Sequence, residues 1–400
     1  MNAPIGFSVS SGAPRFFVPR VAILFCAPML VNGIALPFFP VWLETLSMSD
    51  FEIGMVLAVP LLIRVITAPL AGLVADRIGE RTQVLIWSGW LSLLTGIALF
   101  AAESFWPVLL LYSLQGAVYG PYFPIADSIA LTGVRRWNFD YGRMRFWGSL
   151  AFIAATMAGG WLSGLYGGAI VLPAMAVGFV ATIVAAVQAP KTGRPRRPHA
   201  MTALASAPIN ALRQKDVLLM MIGASIVNSS HAMLFAFSAI YWHKLGFTGT
   251  EIGLLWSAGV LAEILFFIFA ARLRRRFDLW TLMFFGSTVA VIRWMIFPAE
   301  MGFVGFFALQ CLHAFTYACV HIGVQNRIVE RVAEEQEASA QGLYFFYNGV
   351  FLALMTFLSG YFFNWYGTGG FYLMSVTALV GTALLIAAKF HQPHKSLSGG

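Results

Sequence analysis

Gly72-Leu73-Val74-Ala75-Asp76-Arg77-Ile78-Gly79-Glu80-Arg81 closes one long apolar run, about 50–75, and leads into the next, 82–102. Its glycines permit tight turning and close helix approach, and Asp76 can pair with basic groups on neighbouring loops. The surrounding chain is 59% hydrophobic and only 10% charged over 400 residues, with mean hydropathy +0.77. That is too apolar for a soluble domain of this size. A helix needs about 20 apolar residues to cross a bilayer. Working outward from the turn, the sequence holds about twelve such runs: 18–46, 50–75, 82–102, 106–132, 143–166, 168–189, 214–243, 250–271, 279–298, 302–329, 338–365 and 369–390. Several are long enough to require tilt or kinks, and Pro28, Pro37, Pro60, Pro69, Pro121 and Pro124 supply candidate kinks. The short alternating segments of a β-barrel are absent. The expected fold is an all-α integral membrane protein with twelve transmembrane helices.

The net charge of +8 is informative through its placement. Arg15, Arg20, Arg77, Arg81, Arg135, Arg136, Arg143 and Arg145 fall on one side of the membrane. So do Lys191 to Lys215, Arg272 to Arg276, Arg327, Arg331, Lys389 and Lys395, whereas the other side holds only Lys244. By the positive-inside rule both termini are cytoplasmic. Topology thus accounts for the basic balance without a nucleic-acid partner. The first run is too long for a cleavable signal peptide and leads straight into more membrane segments. Cys26, Cys311 and Cys319 lie in apolar runs and read as core residues, with no disulfide or metal site expected. The Pro- and Arg-rich break after Lys191 reads as a cytoplasmic linker. It divides the chain into a first six-helix half, 1–190, a linker, 191–213, and a second half, 214–400. Two such halves are the layout of secondary transporters with a pseudo-two-fold axis along the membrane normal.

Ionisable groups inside the apolar runs point to function. Arg64, Asp127, Glu263, Arg293, His313 and His321 all lie at positions built for hydrocarbon. Such groups are costly there and mark partners, substrate paths or proton relays. On a helix turning about 100° per residue, Gln310, His313, Tyr317, His321 and Gln325 share an arc of about 120°, a polar stripe facing the bundle interior. Each histidine could instead satisfy interhelical hydrogen bonds. Glu263 is the one carboxylate deep in the second half and the first candidate for proton coupling, with Asp127 second. A static buried pair between Glu263 and Arg293 is the alternative. No nucleophile–base spacing, metal cluster or phosphate loop marks an enzyme or a cofactor site.

The opening turn resembles the loop 2–3 signature of the major facilitator superfamily, with Gly72, Asp76, Arg77, Gly79 and Arg81 in place and Glu80 as the departure. The resemblance implies that the turn steadies one end state of an alternating-access cycle. It also carries over the expectation of a monomer. Pro37-Phe38-Phe39-Pro40-Val41-Trp42-Leu43 and Asn138-Phe139-Asp140-Tyr141-Gly142-Arg143-Met144-Arg145-Phe146-Trp147-Gly148-Ser149 are similar to the branch containing lactose permease and the phenylpropionate permeases. Phe237-Ser238-Ala239-Ile240-Tyr241-Trp242, Leu255-Trp256-Ser257, Ala262-Glu263 and Ile292-Arg293-Trp294 resemble the phenylpropionate group specifically. In lactose permease, sugar and proton movement are coupled through charged groups on helices 4, 5, 8, 9 and 10. The matching residues here are Asp127, Arg145, Glu263, Arg293 and His313. The family's further acid on helix 10 is Thr316 here, its lysine is Gln310, and the helix 7 aspartates are His231 and Leu234. A charged network has been dismantled along with its partners, which argues against lactose as the substrate.

Arg64, Arg145 and Arg293 set against Asp127 and Glu263 leave one cation in excess, and a substrate carboxylate would balance it. Tyr119, Tyr122, Phe152, Trp256, Tyr344 and Tyr347 are candidates to wall an aryl ring, and His321 to contact substrate. The expected function is proton symport of a small aromatic carboxylate such as 3-phenylpropionate in the inner (plasma) membrane. A neutral sugar or nucleoside is the alternative substrate. A non-transporting assembly factor or sensor on the same fold is the alternative class.

Overall fold

The computed structural model describes residues 12–193, 214–332 and 336–392; most of the expected linker lies outside this range, as does the side chain of Asp76. The described residues form fifteen α-helices joined by short turns, with no strand. In chain order these are α1 (Phe17–Thr45), α2 (Asp50–Ile78), α3 (Arg81–Ala98), α4 (Phe105–Tyr119), α5 (Tyr122–Trp137), α6 (Tyr141–Tyr166) and α7 (Val171–Gln188) in the first half. The second half holds α8 (Lys215–Ser229), α9 (Ala232–Lys244), α10 (Gly249–Arg276), α11 (Leu279–Ile296), α12 (Gly302–Cys311), α13 (Val320–Arg331), α14 (Glu337–Tyr366) and α15 (Phe371–Phe390).

Ten helical stretches are long and apolar enough to cross a membrane. The last of them, Ser339–Phe390, reverses at Gly367–Gly370 and is two crossings. The pair α4–α5 makes one more, interrupted at Gly120-Pro121. The described chain thus has twelve crossings, as the apolar runs predict.

Three runs that read as single helices are broken. The fourth crossing breaks where Pro121 lacks an N–H. The seventh breaks at Ser230-His231, between α8 and α9. There Ser229 Oγ and Ser230 Oγ bond back to the Ile226 and Val227 carbonyls at 2.8 and 2.6 Å, competing with the helix ladder. The tenth passes from α12 through Leu312 and His313 into a π segment, Ala314–Cys319, before α13. The first crossing stays continuous through Pro28, Pro37 and Pro40. Pro37 deprives the Gly33 carbonyl of its helical donor, and Thr156 Oγ of α6 replaces it at 2.9 Å. The first, fourth, seventh and tenth crossings each open a set of three. Disrupted backbone at membrane depth is tolerated where it is buried in protein or lines a cavity.

Arg143 and Arg145 lie inside α6, and Arg272 to Arg276 inside α10, so the cationic side is made of terminal helical turns as much as loops.

The halves meet through α2 with α14, α6 with α10, and α1 with α9. These contacts gather at the end away from the basic loops. A Cβ on Gly54 would stand 2.6 Å from the Gly360 Cα, and Gly160 lies directly against Gly249. Only residues without side chains allow backbones this close. Lys244 Nζ, at the end of α9, reaches Glu44 Oε1 of α1 at 3.8 Å across the same junction. Both α2 and α10 begin at this end with a capping box. Ser49 N bonds Glu52 Oε2 at 2.9 Å, and Thr248 N bonds Glu251 Oε2 at 2.7 Å. Each box continues into Ile-Gly (Ile53-Gly54, Ile252-Gly253), an internal repeat that marks the two helices as counterparts.

Candidate functional site

Two polar clusters face each other between the halves. In the first half, Asp127 on α5 accepts the Tyr141 hydroxyl at 2.9 Å, and Tyr141 is hydrogen-bonded to Arg145 one turn along α6. The Arg145 guanidinium lies over the Phe25 ring, 5.3 Å from its centroid. Gly148 makes the space: a Cβ there would stand 2.9 Å from Arg145 Nη1. That Nη1 is buried and has no hydrogen-bond partner.

In the second half, Glu263 on α10 faces His313, Oε2 to Nε2 at 3.7 Å, and Arg145 lies within electrostatic reach across the gap. Arg293 on α11 is fully buried (0% exposed). Its Nη2 donates to Gln310 Oε1 at 2.6 Å, and its Nη1 to Thr316 Oγ at 3.3 Å and His313 Nδ1 at 3.4 Å. The guanidinium also lies 4.5 Å from the Trp294 ring centroid. His231, at the break of the seventh crossing, bonds Thr316 Oγ through Nε2 at 2.9 Å. The positions where the family resemblance suggested a dismantled network, Gln310, Thr316 and His231, thus form a neutral cage around Arg293. The structure does not pair Glu263 with Arg293 directly; His313 stands between them.

The polar stripe on the tenth crossing faces inward. His313 stacks on Tyr317, and Tyr317 on His321, with ring centroids 5.7 Å apart at both steps and planes 6° and 10° apart. The wider π turn keeps residues four apart in one column, where a plain α-helix would let them drift around the axis. Gln325, one turn further, bonds Gln341 of α14 at 3.1 Å.

Other candidates are placed differently. Tyr119 gives its hydroxyl to the Pro28 carbonyl at 2.9 Å and packs edge-on against Phe179. Tyr122 is fully buried. Trp256 is 5% exposed, tilted against Phe235, and its Nε1 has no partner. Tyr344 receives an Asn228 N–H at 3.1 Å, and Asn228 also reaches Asn348 at 3.1 Å. Arg64 rests its alkyl stem on Gly120, at the break of the fourth crossing. It lies near the neutral Tyr112, and no carboxylate pairs with it among the described residues. The opening stretch is mostly helix, not turn: Gly72 to Ile78 lie in α2, with Gly72 in open space and Arg77 exposed, and Gly79 ends the helix at φ 74°, a left-handed conformation that favours glycine. Arg81 donates to Thr132 Oγ at 2.9 Å and to the Ser128 carbonyl, tying the third crossing to the fourth.

The sequence reading missed Tyr141 as the link between Asp127 and Arg145. Its signal was available: Tyr141 and Arg145 are four apart on one helix face. Gly148, three residues beyond Arg145, was a further sign of a side chain lying close over the backbone.

The profile of the MFS_1 like family matches residues 27–374. The chain belongs to that family. A relative from Escherichia coli (strain K12), named "Probable 3-phenylpropionic acid transporter", is 28% identical over 355 residues, covering 87% of this chain and 91% of its own length. The maltose permease of Geobacillus stearothermophilus is 27% identical over 363 residues, covering 88% and 90%. Among solved structures, the nucleoside transporter NupG superposes with a TM-score of 0.75 at 17% identity, covering 95% of this chain and all of its own. A bacterial homologue of the lysosomal transporter Spinster, inward-facing and occupied, gives 0.76 at 13% identity, covering 96% and 98%. These two establish the fold. The chain is a multi-pass membrane transporter and not an enzyme.

Proposed function

We propose that this protein imports a small aromatic carboxylate together with a proton, by alternating access. It would work as a monomer in the plasma membrane, with both termini cytoplasmic and the Lys244 end facing out. The observation that carries this reading is the unpartnered, buried Nη1 of Arg145, set beside Glu263 at the gap between the halves. A guanidinium donor without a partner is a place for a carboxylate. Arg64, with no acid beside it among the described residues, adds a second cation on the same half. Glu263 and Asp127 are the proton-coupling carboxylates, with His313 and Arg293 supporting Glu263. Trp256, Tyr119 and the ring column to His321 are walls for the aryl group. Gly72, Asp76, Arg77, Gly79 and Arg81 steady the cytoplasmic end between states.

The likeness to a named phenylpropionic acid transporter favours this substrate class. A neutral sugar or nucleoside is the second reading. The amide and hydroxyl cluster of Asn228, Tyr344 and Asn348 favours it, since such groups suit hydroxyl partners.

The test is uptake of labelled 3-phenylpropionate into proteoliposomes under an inward proton gradient, with and without an uncoupler. Uptake that collapses with the uncoupler and in Glu263→Gln supports the proposal. A folded preparation that takes up maltose or uridine but no 3-phenylpropionate overturns it in favour of the neutral substrate.

A further inference from the structure

Each histidine near Arg293 has one ring nitrogen whose role is forced by its neighbour. Arginine carries only donors. His313 Nδ1, 3.4 Å from Arg293 Nη1, therefore receives a hydrogen bond and holds no proton. The ring proton then sits on Nε2, the nitrogen that faces Glu263 Oε2. His231 is arranged the opposite way. Its Nδ1 lies 3.1 Å from the Asn228 carbonyl, which can only accept, so Nδ1 holds the proton. Its Nε2 is left to accept the Thr316 hydroxyl hydrogen, while the Thr316 oxygen accepts from Arg293. Gln310 follows the same pattern: its oxygen takes Arg293 Nη2–H and its amide N–H continues to the Leu255 carbonyl at 3.2 Å. Every bond of the cage runs outward from Arg293.

We propose that Arg293 is a positioning residue that locks His313 in its Nε2–H tautomer, so that His313 serves Glu263 as a fixed hydrogen-bond donor and not as a proton carrier. This rests on the reading of Glu263 as the coupling carboxylate. A second proton on His313 would have to sit on Nδ1, setting an imidazolium N–H against a guanidinium N–H with like charge on both. The Nε2–H, 3.7 Å from Glu263 Oε2 and a few tenths of an ångström outside hydrogen-bond range, suits both states of Glu263, because on approach it can donate to a carboxylate oxygen and equally to the carbonyl oxygen of the acid. The groups around this contact are Arg145 from α6, Glu263 from α10, Arg293 from α11, Tyr317 from the π segment and His231 from the seventh crossing. None of them offers His313 an onward proton acceptor at Nδ1. The proton that loads Glu263 therefore arrives and leaves on the side open to the gap.

Two measurements decide this. The first is ¹⁵N NMR of histidine-labelled protein at neutral pH, with the His313 signals assigned by their loss in His313→Gln. Nδ1 bare and Nε2 protonated is the expected result, with a mixture of tautomers or an imidazolium appearing in Arg293→Gln. An Nδ1–H or doubly protonated His313 in the unmodified protein overturns the proposal. The second is 3-phenylpropionate uptake in His313→Ala and His313→Gln. Glutamine offers an N–H donor but cannot carry a proton. The alanine variant loses about tenfold or more, the glutamine variant loses less, and the uptake it keeps still collapses with the uncoupler. Uptake in His313→Gln that ignores the uncoupler makes His313 the proton carrier and overturns the proposal. If the unmodified protein takes up no 3-phenylpropionate, the transport reading fails by itself, and the NMR result still decides the tautomer.

Discussion

Gly148 and Thr156 show how single residues on α6 serve the site and the fold. Gly148 leaves room for the Arg145 guanidinium, which a Cβ would crowd. Gly148→Val is expected to displace that guanidinium and raise the KM for substrate about tenfold or more, with helical content by circular dichroism unchanged. Thr156 is fully buried, and its hydroxyl satisfies a carbonyl stranded by Pro37. Thr156→Val keeps the shape and removes the donor. A buried polar group left unpaired costs about 1–3 kcal/mol, so a fall of several degrees in the unfolding temperature in detergent is expected, with Thr156→Ser close to the parent. An unchanged Thr156→Val would mean that the Gly33 carbonyl finds another donor.

The interrupted helices are the informative elements. The seventh and tenth crossings break beside residues of the Arg293 cluster, Ser230-His231 at Thr316 and the π segment at His313, and the fourth breaks at Gly120-Pro121, where the Arg64 stem rests. A straight helix would present these side chains at a different angle. Deleting Ala318, buried within the π segment, should return the tenth crossing to plain α geometry. His321 and Gln325 would then stand seven and eleven residues after His313, still within about 20° of its face, while Tyr317 would lie about 60° around the axis from His321 and lose the parallel stack. Loss of uptake with retained helical content is the expected outcome. Uptake at the parent rate would show that the column has no part in transport.

At the scale of the whole molecule, the halves are joined at the Lys244 end by glycine-to-glycine contacts and one ion pair. Lys244 is 56% exposed in this pair and Glu44 29%. An exposed pair is worth about 0–1 kcal/mol, so it biases the equilibrium between end states by up to about fivefold and does not lock it. Lys244→Gln should speed labelling of a cysteine placed at Phe357, which packs against Phe51 across the α2–α14 contact, by an impermeant maleimide by no more than about that factor. The exchanged pair Glu44→Lys, Lys244→Glu should restore the slower rate. A much larger change would make the pair the main closure and the glycine contacts secondary.

Composition, run length and the placement of charge were enough to give the sequence reading a membrane protein of twelve crossings and the residues worth inspecting. Lipid imposes a simple rule on a chain: apolar length crosses, and charge inside must have a reason. Glu263, Arg293 and His313 were legible because each breaks that rule, whereas Arg145, counted with the basic side, was singled out by the family resemblance. The Ser/Thr-x-x-Glu-Ile-Gly repeat opening α2 and α10 was also present in the sequence, although only the structure drew attention to it. The sequence could not say how the charges pair. Glu263 and Arg293 could have formed a direct ion pair; the packing of α10, α11 and the tenth crossing places His313 between them instead. The direction of each hydrogen bond around Arg293 likewise depends on which donor meets which acceptor across helices far apart in the chain. Distances of a few tenths of an ångström decide that, and they are set by the kinks, the π turn and the small residues that let these helices approach.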